Sequence, residues 1–246
     1  MLPGCPPITN PGEQPLPRGW AAPLPLRGRS YVRRVRKWAT NVYLWRMFRA
    51  FDFCIPTRGT KVPHTPDWIH EIKYDGYRLR IERDGDRVRL ITRNGYDWAK
   101  RYPWIVESAL KTRMKQFVID GEAVVLGVDG FPDFNALHSR KQDDEVQLYA
   151  FDILALDGED LRALPLSLRK TNLARLLARR PNGIFVAPFE QGEIGPDLFR
   201  AACNMGLEGL VSKRRDRPYR AGRFPDWVKV KNRTHPAMER VKEAFV

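Results

Sequence analysis

The sequence predicts a fold that contains both strands and helices. Apolar and polar residues alternate over Tyr77–Arg83 and Arg87–Thr92, which is typical of half-buried strands. Asp84-Gly85-Asp86 lies between them, and Asp-Gly is a strong hairpin signal. Apolar residues at helical spacing follow within residues 98–115. A hydrophobic content of 43% over 246 residues is sufficient for a core, so we expect one large domain or two small ones.

The other elements follow from the same patterns along the chain. Residues 51–66 are expected to be extended, because Pro56, Pro63 and Pro66 are incompatible with a helix. We predict strands at residues 68–73, 117–126, 146–154, 184–188, 208–213 and 227–231. We predict helices at residues 133–140 with Asp133 as the cap, at 167–179 with Leu168, Leu173, Leu176 and Leu177 facing inward, and at 197–205 before Gly206.

The composition restricts the partners and the compartment. A net charge of +14 and a pI of about 10.0 favour a polyanionic partner, most simply nucleic acid. No run of 18 apolar residues occurs, so we expect neither a transmembrane helix nor a membrane partner. The three cysteines and four histidines are scattered and show neither metal-ligand spacing nor a disulfide framework. We therefore expect a monomer in a reducing cytoplasm.

Residues 1–50 form a basic N-terminal extension, with nine Lys or Arg residues and one acid, Glu13. Residues 1–30 are rich in proline and glycine without periodicity and are predicted to be disordered. Residues 31–50 mix basic and aromatic side chains, as in an amphipathic helix or an arm that contacts phosphates and bases. A third interpretation is that the protein starts at Met47 and the preceding segment is not translated.

Lys73 stands at the end of an apolar strand, directly before a turn at Asp75-Gly76. Partial burial and neighbouring cations are expected to lower the pKa of its amine from about 10.4. A deprotonated lysine can act as a covalent nucleophile. The alternative is a strand-end lysine that pairs with Asp75.

Asp120 and Glu122 lie on one face of the apolar strand at residues 117–126. Burial of both acids is costly unless they meet a metal, a sugar hydroxyl or a basic partner. The strand therefore predicts either a functional pair of carboxylates or ion pairs with arginines elsewhere in the chain.

Further candidate residues are basic. Lys229 and Lys231 share one strand face, where like charges repel unless an anion lies between them. The basic loop at residues 214–223 contains Arg220 and Arg223, which are candidates for contact with DNA or phosphate. The sequence thus predicts two positively charged regions near the C-terminus.

The pattern Lys-x-Asp-Gly-x-Arg at residues 73–78 resembles the first motif of the covalent nucleotidyltransferases, which include DNA ligases, RNA ligases and mRNA capping enzymes. Later segments resemble the later motifs in the same order: Thr92-Arg93-Asn94-Gly95, Asp120-Gly121-Glu122, Tyr149-Ala150-Phe151-Asp152, Glu208–Lys213 and Trp227–Lys231. The residues around them are most similar to the ATP-dependent DNA ligases of bacterial end joining. The resemblance implies an α+β, ATP-grasp-like nucleotidyltransferase fold of antiparallel sheets flanked by helices around an ATP cleft.

The resemblance also implies a site for ATP and for Mg²⁺ or Mn²⁺. Lys73 is the implied nucleophile, assisted by Asp75, and Glu122 and Glu208 are the implied metal ligands. The implied ATP contacts are Glu71 at the adenine edge, Phe151 under the adenine ring, Arg78, Arg93 and Glu122 at the ribose, and Lys229 and Lys231 at the α-phosphate. The implied reaction forms a lysyl-AMP, passes AMP to a DNA 5′-phosphate and seals nicked or broken double-stranded DNA in repair and recombination at the bacterial nucleoid.

The resemblance places an adenylation domain at residues 51–235 and a short tail at 236–246. In the family an OB-fold follows the last motif, and the 15 residues after Lys231 are too few for that barrel. We therefore expect no OB-fold, and a partner that is either an end-joining protein or a separate OB-fold protein. The alternatives are an RNA ligase or capping-type transferase, and a non-catalytic DNA-binding module.

Overall fold

Two sheets and four helices form the part of the chain that the structure, a computed structural model, describes: residues 51–179 and 182–238. The predicted extension at residues 1–50 and the last eight residues of the predicted tail lie outside the described residues. The strands are β1 (Cys54–Arg58), β2 (Trp68–Ile72), β3 (Tyr77–Asp84), β4 (Arg87–Thr92), β5 (Gln116–Val124), β6 (Gln147–Leu156), β7 (Glu159–Asp160), β8 (Ile184–Val186), β9 (Phe189–Gln191), β10 (Gly209–Arg214) and β11 (Gly222–Lys231). The helices are α1 (Pro103–Lys111), α2 (Phe134–Ser139), α3 (Leu166–Leu176) and α4 (Gly195–Asn204).

The first sheet has the strand order β1-β11-β10-β2-β9, and the second has the order β4-β3-β5-β6-β7 with β8 beside β6. Neighbouring strands are antiparallel except for β1 with β11 and β6 with β8. Helices α1 and α3 pack against the second sheet, and α4 packs against the first. This arrangement confirms the expected α+β fold, and no closed barrel occurs in the described ranges. None of the helices described there has both the length and the apolar character needed to cross a membrane.

The core consists of separate apolar clusters. The largest covers the helical side of the second sheet and includes Leu79, Ile81 and Leu173. A second cluster joins the two sheets, because Val118 of β5 and Trp227 of β11 belong to it. This contact holds β5 and β6 close to β11, so that side chains from both sheets can face one cleft.

The hairpin and the short helix form as predicted. Strands β3 and β4 pair up to Asp84 and Arg87, and Gly85 has a φ of 62°, which suits glycine in a tight turn. The Asp133 side chain accepts a hydrogen bond from the Ala136 amide at 2.9 Å and so caps α2.

Two helix predictions were wrong in detail. The helix predicted at residues 98–115 begins only at Pro103, since proline fits the first turn of a helix but not its interior. In α3 the predicted inward Leu168 is 50% exposed, whereas the neighbouring Arg169 and Lys170 are buried. Leu173, Leu176 and Leu177 face the core as predicted. The spacing of leucines did not show that Arg169 and Lys170 are also buried, because these two residues pair with buried carboxylates of β6 and β2.

Candidate active site

A cleft opens between the two sheets, and both sheets contribute to its walls. The first sheet contributes Ile55, Pro56, Ile72, Val211, Lys213, Trp227 and Lys229, the second contributes Arg78, Glu122 and Phe151, and Lys73, Tyr74, Arg93 and Ala187 complete the lining. The structure therefore brings the predicted site residues Lys73, Arg78, Arg93, Glu122, Phe151 and Lys229 to one cavity.

Lys73 is held at this cleft by Glu208. The Lys73 Nζ lies 2.5 Å from Glu208 Oε2, and the Lys231 Nζ lies 2.7 Å from Glu208 Oε1. The backbone amide of Lys73 donates to the Gly209 carbonyl at 2.9 Å, which fixes the end of β2 against β10. One buried carboxylate thus joins two of the predicted lysines, and the three groups together keep one positive charge.

The expected lowering of the Lys73 pKa was wrong. Burial lowers this pKa, but the carboxylates of Glu208, Glu122 and Asp75 outweigh burial, and the pKa of Lys73 is raised. Lys229 behaves in the opposite way: burial, followed by the charges of Lys73 and Lys231, lowers its pKa. Without nucleotide, Lys73 is therefore an ammonium group engaged with acids.

The two acids of β5 have different surroundings. Asp120 is fully buried and accepts hydrogen bonds from Arg78 Nε and Nη2 at 2.9 and 2.6 Å, and from the Tyr219 hydroxyl at 2.8 Å. Asp120 is thus the acid with a basic partner. Glu122 makes neither a hydrogen bond nor an ion pair with any residue in the described ranges, and burial raises its pKa to about 7. Glu122 is the carboxylate available to a ligand.

Aromatic rings form one wall of the cleft. The rings of Phe151 and Trp227 meet edge to face, with centroids 6.1 Å apart. The Lys213 Nζ lies 4.1 Å from the centroid of each ring, within cation–π range. Phe151 is half-buried and lines the cleft, as a platform for a flat base requires.

Glu71 lies behind this aromatic wall and not on the cleft surface. Its Oε2 is 2.6 Å from the Lys213 Nζ, and its Oε1 is 2.5 Å from the Lys170 Nζ of α3. All three side chains are buried. Lys213 lines the cleft, so Glu71 acts on the cleft through its ion pair with Lys213.

The remaining predicted residues lie elsewhere. Asp75 borders a smaller hollow next to the cleft, together with Lys73, Glu208 and His235. Arg220 and Arg223 are exposed and border a separate hollow, so the structure does not bring them to the cleft.

The carboxylates fit a divalent cation of the Mg²⁺ type. Such ions use one or two protein carboxylates together with water and phosphate oxygens. Glu122 supplies a carboxylate without a protein partner, and Glu208 supplies a second one beside Lys73. The described part of the chain contains no group of three or more His, Cys, Asp or Glu side chains suited to a metal, so these residues do not surround an ion with protein ligands alone.

Residues 56–231 match the family model of the ATP-dependent DNA ligase domain. The chain belongs to this family. It is 37% identical over 185 residues to the multifunctional non-homologous end joining protein LigD of Pseudomonas aeruginosa, a match that covers 73% of this chain and 22% of that protein. It is 39% identical over 168 residues to LigD of Mycobacterium tuberculosis, which covers 67% of this chain and 22% of that protein. The chain thus spans about a fifth of the length of these relatives.

Solved structures support the same assignment. A structure of mycobacterial DNA ligase D complexed with ATP and MES is 35% identical, with a TM-score of 0.65, over 75% of this chain and 61% of that one. The Chlorella virus DNA ligase-adenylate is 15% identical, with a TM-score of 0.54, over 74% of this chain and 68% of that one, and this match shows the fold alone. The resemblance to ATP-dependent DNA ligases of end joining is confirmed.

Sequence reasoning missed several residues of the site. Lys170 belongs to no predicted motif, and Tyr219 falls in the basic loop predicted to touch DNA or phosphate, although both are buried and contact predicted site residues or their partners. Trp227 stands two positions before Lys229 on the same strand face, so period-2 alternation was a usable signal for it. No local pattern marks Lys170, because its partner Glu71 is distant in sequence.

Proposed function

We propose that the chain carries out the ATP-dependent adenylation of a DNA ligase, with Lys73 as the nucleophile. One observation carries this proposal: the cleft that Lys73 lines is also lined by Lys229, by the carboxylate of Glu122 and by the ring of Phe151. A cation for phosphate, an acid for metal or ribose and a flat apolar surface for a base are the groups that ATP requires.

The nucleotide is oriented by groups on both walls. Phe151 offers a face for adenine, and Glu71 contributes on the side of its polar edge through Lys213, which lines the cleft beside that ring. Arg78 and Arg93 face the ribose side, and Asp120 fixes the Arg78 guanidinium in a bidentate pair. Lys229 and Lys231 lie toward the α-phosphate, where they stabilise the negative charge that develops in the transition state.

Lys73 must lose a proton before it attacks, because only the free amine has a lone pair, and the proton passes to solvent, which reaches the 22% of this side chain that is exposed. The amine then forms a bond to the α-phosphorus while the bond from that phosphorus to the bridging oxygen breaks, and pyrophosphate leaves with the electron pair. The product is a lysyl-AMP phosphoramidate. A divalent metal, when bound at Glu122 and Glu208, supplies neutralisation of the phosphate charge.

The AMP then passes to the 5′-phosphate of a DNA end, and a 3′-hydroxyl displaces it to join the strands. Asp75, next to Lys73 and Glu208, is in a position to assist at the nick. Arg220 and Arg223 present exposed positive charge for the phosphate backbone. The DNA partner is a nicked or broken duplex at the bacterial nucleoid, with an end-joining protein or an OB-fold protein as a further partner.

Label transfer tests the adenylation step. The full chain is incubated with α-labelled ATP and Mg²⁺ or Mn²⁺, then denatured and examined for label on the protein. Wild type is expected to be labelled, and Lys73→Ala is expected to be unlabelled. Lys111→Ala is the matched control, because the Lys111 side chain is 66% exposed on α1 and does not line the cleft. Label on Lys73→Ala would refute the assignment of the nucleophile.

Sealing is tested separately from adenylation. Pre-adenylylated nicked DNA and nicked RNA of the same sequence are supplied to the purified chain, and ligated product is measured. Joining of DNA but not RNA supports the DNA ligase assignment, whereas preference for RNA would overturn it. Arg220→Ala with Arg223→Ala is expected to weaken DNA binding, lessen its salt dependence and leave label transfer unchanged.

A further inference from the structure

Tyr74 lines the cleft but has no part in the adenylation steps proposed for the chain. It follows Lys73 directly in sequence and borders the same cavity as Lys73 and Phe151. Among the residues of the described ranges that line the cleft, Tyr74 is the one that carries a hydroxyl group. A ligand that fills the cleft therefore contacts an aromatic ring with a polar tip.

Stacking holds the Tyr74 ring beside the Phe151 platform. The ring centroids of Tyr74 and Tyr149 lie 4.6 Å apart, and the two ring planes differ by 34°. Tyr149 and Phe151 are alternate residues of β6, and alternate residues of a strand share a face. Tyr149 also pairs with Glu122 of β5, so it lies on the same face of the second sheet as Glu122, which lines the cleft. Tyr74 thus stacks on the face of β6 that is directed to the cleft.

A third ring restricts the orientation of this stack. The Phe185 ring of β8 lies on Tyr149, with centroids 5.7 Å apart and planes that differ by 30°. The row of rings from Phe185 through Tyr149 to Tyr74 limits the rotation of the Tyr74 side chain. The position of the Tyr74 hydroxyl is therefore set before a ligand enters.

The Tyr74 hydroxyl is available to a ligand. It makes no hydrogen bond with any residue in the described ranges, although the side chain is half-buried and such hydroxyls usually have a partner. Burial, together with Tyr149 and Glu71, raises the pKa of Tyr74 to about 12, so the hydroxyl keeps its proton at neutral pH. A protonated phenol both donates and accepts hydrogen bonds.

We propose that Tyr74 is a base-contacting residue: its hydroxyl forms a hydrogen bond with the edge of the base that stacks on Phe151. This inference rests on the proposed use of ATP. The charged groups of the cleft, such as Lys73 and Lys229, suit phosphates, whereas an uncharged hydroxyl beside an aromatic platform suits a base. The phenol can donate to a ring nitrogen of adenine or accept from its amino group.

Equilibrium binding of two ligands to the full chain tests this contact. ATP carries the base, and ribose 5-triphosphate keeps the sugar and the phosphates but has no base. Tyr74→Phe is expected to weaken ATP binding about three- to tenfold, the scale of one lost hydrogen bond between uncharged groups. The same variant is expected to change binding of ribose 5-triphosphate by less than about twofold.

Tyr149→Phe is the matched control. It removes a hydroxyl from the neighbouring ring of the same stack, and that hydroxyl also makes no hydrogen bond within the described ranges. Tyr149 does not line the cleft, so this variant is expected to bind both ligands as wild type does. Both variants keep the stacked rings and are expected to unfold at the wild-type temperature. Label transfer by Tyr74→Phe at saturating ATP is expected to match wild type, because a bond to the base is made equally before and during the attack.

The outcomes separate this inference from the proposed function. A loss for Tyr74→Phe that is confined to ATP and absent from Tyr149→Phe supports the contact. Unchanged ATP binding in Tyr74→Phe, equal losses for ATP and ribose 5-triphosphate, or an equal loss in Tyr149→Phe would overturn this inference and leave the proposed function intact. Failure of the wild-type chain to bind ATP would overturn the proposed function, and this inference with it.

Discussion

Replacing Asp120 by asparagine tests whether this acid stabilises the folded walls of the cleft and does not itself bind a ligand. Asp120 is completely buried, accepts two hydrogen bonds from Arg78 and one from Tyr219, and its Arg78 partner is only 14% exposed. The pKa of Arg78 is raised, since Asp120 outweighs the lowering effect of burial. Asparagine keeps the shape of the side chain but leaves the Arg78 charge without its counter-charge.

Removing one partner of a buried ion pair costs about 3–5 kcal/mol, and we expect the lower end of about 3 kcal/mol because asparagine still accepts one hydrogen bond. For a domain of this size, about 3 kcal/mol corresponds to a fall in Tm of about 6–12 °C. Thermal unfolding followed by circular dichroism measures the change. Glu107→Gln is the matched control, because its pair with Lys111 is exposed, spans 4.0 Å and is worth at most about 0.5 kcal/mol. A Tm for Asp120→Asn as close to wild type as that of Glu107→Gln would refute the structural role.

Three further predictions concern the same framework. Glu122→Gln is expected to unfold at the wild-type temperature or above, because burial opposes the charged form of Glu122 more strongly than Lys73 and Arg78 favour it, but to lose label transfer from ATP. Burial lowers the pKa of His70 below its ordinary value of 6.5, so the folded chain binds this proton less readily than the unfolded chain does. Stability is therefore expected to fall as pH drops through 6.5, and urea unfolding at pH 7.5 and 5.5 measures this fall. Gly209→Ala is expected to lower Tm more than Gly206→Ala, because a Cβ at Gly209 would lie 2.1 Å from the Val230 carbonyl oxygen.

Each of these predictions has an outcome that contradicts it. A destabilised Glu122→Gln that still becomes labelled would reverse the roles assigned to the two acids of β5. The pH dependence of wild type is compared with that of His70→Gln. If the variant loses as much stability as wild type between pH 7.5 and 5.5, groups other than His70 cause the effect. Gly206 also has a positive φ, of 72°, but nothing lies within 4 Å of its Cβ position, so equal effects of the two alanines would leave backbone conformation as the whole cause.

The sequence by itself determined the elements that depend on local patterns. The β3–β4 hairpin formed where Asp84-Gly85 placed it, and β2, β5, β6 and β10 formed near their predicted positions, because alternation and turn residues act over a few neighbours. Strand β11 ends where predicted but begins at Gly222, within the predicted basic loop, because it pairs there with β1. The order of motifs around Lys73 was also sufficient to identify the family. The apolar spacing over residues 98–115 predicts a helix longer than α1, because that spacing does not reflect the restriction imposed by Pro103.

Only the tertiary structure decided how the charged residues are divided between support and chemistry. Asp120 and Glu122 share one face of β5 in the strand pattern, but within the described ranges only Asp120 accepts hydrogen bonds, from Arg78 and Tyr219. Glu122 feels the charges of Lys73 and Arg78 without a hydrogen bond to either. The pKa of Lys73 rose instead of falling because Glu208, 135 residues away in sequence, lies beside it. Long-range packing fixes which charges meet and how far water is excluded, and those two quantities set the electrostatic energy of a buried group.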